Sequence, residues 1–587
     1  MGKKHPKTAP AATAEAPPVA APSAEEADGM DSARALPPDP TAAGLRHLAA
    51  AGAVFAGLTL LTYVVPPLER LRPWLPDEPV PVLRFFLPEA ETELAETAPE
   101  IAHLEELALE EPPPPPPEAT LTVAPEEYAE LTTPIEDPSG ALRAFHAALA
   151  RTARDRAEGS GGRHLTRIAH FGDSTIALDG ITMTVRERLQ TRFGDGGHGF
   201  VLAARGSLPY RHHMVRHESE GSWRLLDLTH LSLSDGRYGL GGVQARAVTG
   251  AEAYFATDDD GAVGNAVSRF VVLYQRHERG GQFRYRVDEG AWTEVDTRGE
   301  DAEDAALEID VEDGPHRLDL RASGHGESRL YGVVLERDGP GVVYDSLGIV
   351  GARAARMLGF DPAHLRGQLS ARGTDLVVIA FGGNDADDER SEEDFLATFR
   401  EVARLVRTAR PEASCLLAAP LDQGERDERG RVRTLAPVER IVRAMRQAAR
   451  EEGCAFFDTF TAMGGAGSMG RWARRGLASS DYRHATPAGY RIIGQLFYQA
   501  LLRSFAEWLA AGEPPPEPRS PTPNPDPDSA PVSAPVSDSA PVSAPDSDSA
   551  PAPDSDSAPA ADPAPAPAPV PSPAPPPPPA LPFGTLS

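Results

Sequence analysis

Asp375-Leu-Val-Val-Ile-Ala-Phe381 runs directly into Gly382-Gly383-Asn384-Asp385. After Asp375 the first segment carries no polar side chain. A continuous apolar run that stops at a glycine pair reads as a strand buried on both faces. Such strands belong to parallel sheets covered by helices on each side. In open α/β sheets, ligands bind at the carboxyl ends of the strands. Gly382 to Asp385 occupies that place here, and the Asn384 amide is a hydrogen-bond donor there.

The same rhythm continues outward. Residues 167–171, 413–419 and 455–458 read as further strands. Residues 142–156, 181–193, 395–408, 438–452 and 487–509 read as helices. The alternation predicts a doubly wound α/β domain, in two parts over 136–206 and 341–511. Residues 207–340 break the pattern. Arg269 to Gln275 (RFVVLYQ) and Gln282 to Val287 (QFRYRV) alternate in polarity, and turns such as Asp288-Glu289-Gly290 separate such runs. This predicts an antiparallel β-sandwich inserted into the α/β domain.

The ends differ in kind. Residues 1–47 and 512–587 are rich in Ala, Pro and polar residues, too poor in apolar ones to build a core, and are expected to be disordered. Residues 48–68 are uncharged and about 20 residues long, the length of a transmembrane helix. Residues 69–135 form an acidic, proline-rich tether whose run Pro112 to Pro117 favours extended polyproline II. Positive charges barely bias the span. The N-terminus is expected inside, with the folded part outside. The net charge of −30 repels phosphates and excludes a nucleic-acid partner. Two cysteines, Cys415 and Cys454, exclude a cysteine-rich scaffold. Buried thiols are the favoured reading. A disulfide between neighbouring strands is the alternative outside the cytosol.

Three further motifs carry chemistry. His170-Phe-Gly-Asp-Ser174 ends a strand and precedes a helix, where an exposed serine meets helix N-terminal amides. Alone it also reads as a turn with an N-cap. Asp481-Tyr-Arg-His484 lets a carboxylate orient an imidazole whose other nitrogen faces a serine. Gly341-Val-Val-Tyr-Asp-Ser-Leu-Gly-Ile-Val-Gly351 precedes a helix and presents the Gly351 N–H.

Together, and in this order, the four blocks resemble those of the SGNH (GDSL-like) hydrolase superfamily, over about 160–206 and 341–505. The resemblance implies Ser174 as nucleophile, His484 as general base and Asp481 as its orienter. It implies an oxyanion hole from Ser174, Gly351 and Asn384, with no cofactor and no metal. The opening block with Arg186 and Phe193-Gly-Asp-Gly-Gly-His-Gly-Phe200 resembles peptidoglycan O-acetylesterases of bacterial envelopes. So do the inserted sandwich and the segment Met463 to Trp472. Thr175 departs from the His or Gln common there, which leaves the acyl and sugar preference open.

This resemblance implies an esterase of an acetylated polysaccharide, anchored in the inner membrane with its catalytic domain in the periplasm. An O-acetyltransferase with the same triad and a non-catalytic wall-binding protein are the alternatives. The insertion resembles carbohydrate-binding modules, so Trp223, Tyr238, Tyr254 and Trp292 are candidates for stacking on sugar rings, although most sandwich aromatics are core. Asp258, Asp259 and Asp260 read as a solvated acidic turn rather than a calcium site.

Overall fold

The computed structural model describes residues 121–512, apart from 130, 160–163, 206–208, 259–260 and 262. The apolar span 48–68, most of the tether, the C-terminal tail, Asp259 and Asp260 lie outside the described residues. Among the described residues, no helix is long and apolar enough to cross a membrane.

Five parallel strands form the central sheet. Their spatial order is Gly341–Gly348, Leu165–Gly172, Leu376–Ala380, Ser414–Ala418 and Ala455–Phe457. The apolar run at 376–380 is explained by its two faces. Val377 and Ile379 join one buried cluster, and Leu376 and Val378 join the other. The long helix Pro487–Ala510 covers the second face, starting at the Thr486 cap with proline in its first turn. The helices Glu392–Ala409 and Ala436–Glu452 cover the first. The former opens with a Ser391/Asp394 capping box, and the latter closes at Gly453 in the left-handed conformation. Ala455–Phe457 is an edge strand. Glu136 at the end of the tether pairs with Phe456 in both directions, at 2.8 and 2.9 Å, and covers that edge.

The insertion is two antiparallel sheets. One runs Glu303–Gly314, Val267–Arg276, Ser328–Glu336, Val243–Ala247, Trp223–Asp227. The other runs Val215–Glu220, Glu252–Thr257, Arg317–Ser323, Gln282–Val287, Thr293–Asp296. Gly199–Leu202, which lies upstream of the insertion, pairs with Ser328–Glu336 in the first sheet. The two domains share one core. Phe270, Val272 and Val333 of the sandwich belong to the same buried cluster as Phe171, Val377 and Ile379. A buried ion network fastens the seam. Arg372 bonds both oxygens of Asp345 at 2.9 Å and also holds Glu336, which Arg167 reaches at 2.8 Å.

The favoured reading of the cysteines as thiols is corrected. Cys415 and Cys454 are buried and disulfide-bonded, 39 positions apart in sequence. Parallel pairing of Ser414–Ala418 with Ala455–Phe457 brings their Cα atoms to 4.8 Å, within bonding reach.

Candidate active site

Ser174 opens the short helix Ser174–Ala177 at the carboxyl end of Leu165–Gly172. Its N-cap is Asp173, whose carboxylate accepts from the Thr175 N–H at 3.0 Å and the Thr175 hydroxyl at 2.9 Å. Gly348 permits this placement. A Cβ there would lie 2.0 Å from the Ala177 nitrogen, so any side chain would drive the helix off the sheet.

Ser174 Oγ lies 3.0 Å from His484 Nε2, across 310 positions of sequence. His484 Nδ1 lies 2.8 Å from Asp481 Oδ2. A carboxylate there accepts Nδ1–H, which leaves Nε2 as the acceptor facing the serine hydroxyl. Asp481 is itself fixed. Its Oδ1 accepts from Ser479 Oγ at 2.6 Å, from the Arg483 N–H at 2.9 Å and from the His484 N–H at 3.1 Å. Burial pushes this carboxyl up, but the bonds from Ser479, His484 and Arg483 outweigh it and hold it far below the usual carboxylate range.

The turn carrying these residues is strained and clamped. Tyr482 sits at φ 54°, a conformation that non-glycine residues rarely adopt. The Gly424 N–H donates to its carbonyl at 2.9 Å, and the Arg426 guanidinium donates to its hydroxyl. Arg483 reaches Gln423 at 2.8 Å and Asp387 at 3.0 Å.

Gly351 is exposed at φ 78°, and among the described residues no backbone carbonyl accepts from its N–H. Asn384 Nδ2 donates to the Ala352 carbonyl at 3.1 Å. An amide has two such hydrogens, so this bond orients Asn384 and leaves one donor unspent. The structure thus ties the Asn384 turn to the Gly351 turn. Two further links do the same, and neither was read from the sequence. Asp385 Oδ2 accepts from the Ala354 N–H at 3.1 Å. Arg353 forms two 3.0 Å bonds with Asp388.

Asp385 is fully buried and its Oδ1 has no partner among the described residues. Burial pushes its carboxyl up to about 6, with Asp173 adding to the rise. The only local signal was its place beside Asn384. An apolar recess lies next to the nucleophile turn, lined by Asp173, Thr175, Gly383, Pro420, Gln423 and Phe457 among others, but not by Ser174 itself.

The aromatic candidates do not join this site. Tyr238 is corrected to core: it is wholly buried, and its hydroxyl accepts from the Leu233 N–H at 2.8 Å. Trp223 packs against the sandwich core and donates its indole N–H to the Glu220 and Glu252 carbonyls. Tyr254 is covered by Arg317 at 3.8 Å. Trp292 is 37% exposed in the turn before Thr293–Asp296, with Arg286 at 4.7 Å from its ring. Among the described residues, no group of three or more His, Cys, Asp or Glu is arranged to hold a metal.

Residues 312–492 match the family model "GDSL-like Lipase/Acylhydrolase family". That segment contains Gly351, Asn384, Asp481 and His484 but not Ser174, which meets His484 at 3.0 Å. No curated protein matches the chain. Among solved structures, a peptidoglycan O-acetylesterase is similar at 23% identity and a TM-score of 0.52, over 64% of this chain and 99% of that one. A family two carbohydrate esterase from Cellvibrio japonicus aligns at 12% identity and a TM-score of 0.21, over 50% and 100%.

Proposed function

We propose that this chain, in which residues 312–492 match the GDSL-like lipase/acylhydrolase family model, is a serine-dependent carbohydrate esterase of that family that removes O-acetyl groups from an envelope polysaccharide, peptidoglycan in the first place. The observation that carries the reading is the 3.0 Å contact between Ser174 Oγ and His484 Nε2, with Asp481 behind the ring. In this reading His484 accepts the Ser174 proton as Oγ attacks the ester carbonyl. The tetrahedral oxyanion meets the N–H groups of Ser174 and Gly351 and the free hydrogen of Asn384 Nδ2. His484 then returns its proton to the departing sugar hydroxyl. Water, activated by the same imidazole, releases acetate from the acetyl-serine. The recess beside Thr175 is mostly apolar, and in this reading it takes the acyl methyl. The likeness in fold to a peptidoglycan O-acetylesterase supports the choice of polymer.

The apolar span 48–68 and the disulfide support placement outside the cytosol, anchored at the inner membrane with the catalytic domain in the periplasm. The test compares the full chain with its Ser174→Ala variant on an aryl acetate and on O-acetylated sacculi. The variant is expected to lose turnover on both, and acetate is expected from sacculi only with the unmodified chain. Equal rates on the aryl acetate would end the reading.

A further inference from the structure

The chain carries a net charge of −30, yet its active site is bordered by a segment of opposite sign. The strands Gly424–Arg426 and Val432–Thr434 form a β-hairpin just after Gln423, which lines the recess beside Thr175. The hairpin carries Arg426, Arg429, Arg431 and Arg433 against Glu425, Asp427 and Glu428. The helix Ser468–Arg474 packs on it. The Gly467 N–H donates to Thr434 Oγ1 at 2.7 Å, and a Cβ on Gly470 would lie 2.8 Å from Val432. This helix and the residue after it add Arg471, Arg474 and Arg475 and no acid. The two elements together hold seven arginines and three carboxylates, a local excess of four positive charges.

Both elements border the His484 turn. The hairpin holds Tyr482 through Gly424, and the chain leaving the helix pairs the Ser479 N–H with the His484 carbonyl at 2.9 Å. Internal pairing spends part of the charge. Asp427 alone holds both Arg431 and Arg433, whose side chains stay 57% and 63% exposed. Arg471 donates to the Gly464 and Ala466 carbonyls rather than to a carboxylate. Arg429 and Arg474 are exposed and have no ion-pair partner among the described residues. Arginines gathered on elements that border the His484 turn, on an otherwise acidic chain, concentrate an anionic ligand there. Their planar forks suit carboxylates.

We propose that this arginine lip binds carboxylates of a polyanionic glycan and so presents its esters to Ser174. The proposal rests on the esterase reading and narrows its substrate class. The peptide side chains of peptidoglycan supply such carboxylates.

The full chain and an Arg429→Glu/Arg474→Glu variant are compared on O-acetylated sacculi, untreated or with carboxylates amidated, and on an aryl acetate. The unmodified chain is expected to lose at least about tenfold in kcat/KM on amidated sacculi. The variant is expected to be equally slow on both kinds and normal on the aryl acetate. Unmodified chain that cleaves both kinds alike, or a variant that discriminates as well as it does, would overturn the lip. If charge reversal also lowers aryl acetate turnover, Arg429→Gln/Arg474→Gln replaces it under the same criteria. Binding of polygalacturonate and neutral galactan to the Ser174→Ala chain separates the two ideas. Retained aryl acetate turnover with no acetate from sacculi would reject peptidoglycan, while selective polygalacturonate binding lost in the lip variant would still support the lip. Absence of such binding would overturn it.

Discussion

Two aspartates near Ser174 behave in opposite ways, and each makes a prediction. Asp481 accepts three bonds on one oxygen and the imidazole on the other, so Asp481→Asn removes the group that selects the His484 tautomer. In a buried triad that change costs about 10⁴-fold in kcat. Asp481 is 48% exposed, so solvent screens its charge, and we expect a smaller loss of about 10²- to 10³-fold. Circular dichroism should be unchanged, and a rate near normal would remove Asp481 from the site.

Asp385 titrates the other way. Folding raises its pKa from near 4 to about 6. Its contribution to stability is therefore full below about pH 4 and is lost as pH rises through about 6. Asn cannot ionise and keeps an oxygen for the Ala354 N–H. Asp385→Asn should thus gain on the unmodified chain between about pH 5 and pH 7, by roughly 1.3 kcal/mol. Urea denaturation at the two pH values reads this directly. A constant difference would show that Asp385 is already ionised at the lower pH.

At the scale of elements, two of the three proposed oxyanion donors, Gly351 and Asn384, sit on separate turns, 351–354 and 384–388, which three cross-links tie together. Losing one oxyanion donor typically costs about 3 kcal/mol, and Asn384 is the donor most directly exposed to that loss. The Arg353–Asp388 pair lies further out and acts on position alone. Arg353→Ala is expected to lower kcat on an aryl acetate by about tenfold with KM little changed. The swap Arg353→Asp/Asp388→Arg should recover much of that rate. Equal losses in the single and swapped variants would mean that the pair does not set the spacing.

This scale also shows what a motif can carry. The contacts of Ser174 with His484 and of His484 with Asp481 were legible because each chemistry needs its residue at a strand end or turn, and local sequence records that. Arg353–Asp388 and Gly424–Tyr482 were not, because they join segments 35 and 58 positions apart and no local pattern marks either partner.

On the scale of the molecule, alternation at 207–340 marked a sandwich but not its union with the hydrolase domain. Gly199-Phe-Val-Leu202 is four residues long, and nothing in them distinguishes a parallel from an antiparallel partner. The aromatics stayed open between core, the favoured reading, and a sugar-facing place for a similar reason. Tyr238 looks the same in sequence whether it faces solvent or, as here, the core.

The shared core has a consequence. Excising 207–340 would leave Gly199–Leu202 without its partner strand and strip sandwich side chains from the cluster holding Phe171, Val377 and Ile379. Uncovering a few such side chains costs several kcal/mol, at about 1.5–3 kcal/mol each, comparable with the whole stability of a domain. Joining 206 to 341 is therefore expected to give a chain with no cooperative thermal transition and no aryl acetate turnover. Trp292→Ala, at the exposed turn before Thr293–Asp296, should leave both intact. A shortened chain that melts cooperatively and still turns over ester would show that the hydrolase domain supports Ser174 without the sandwich.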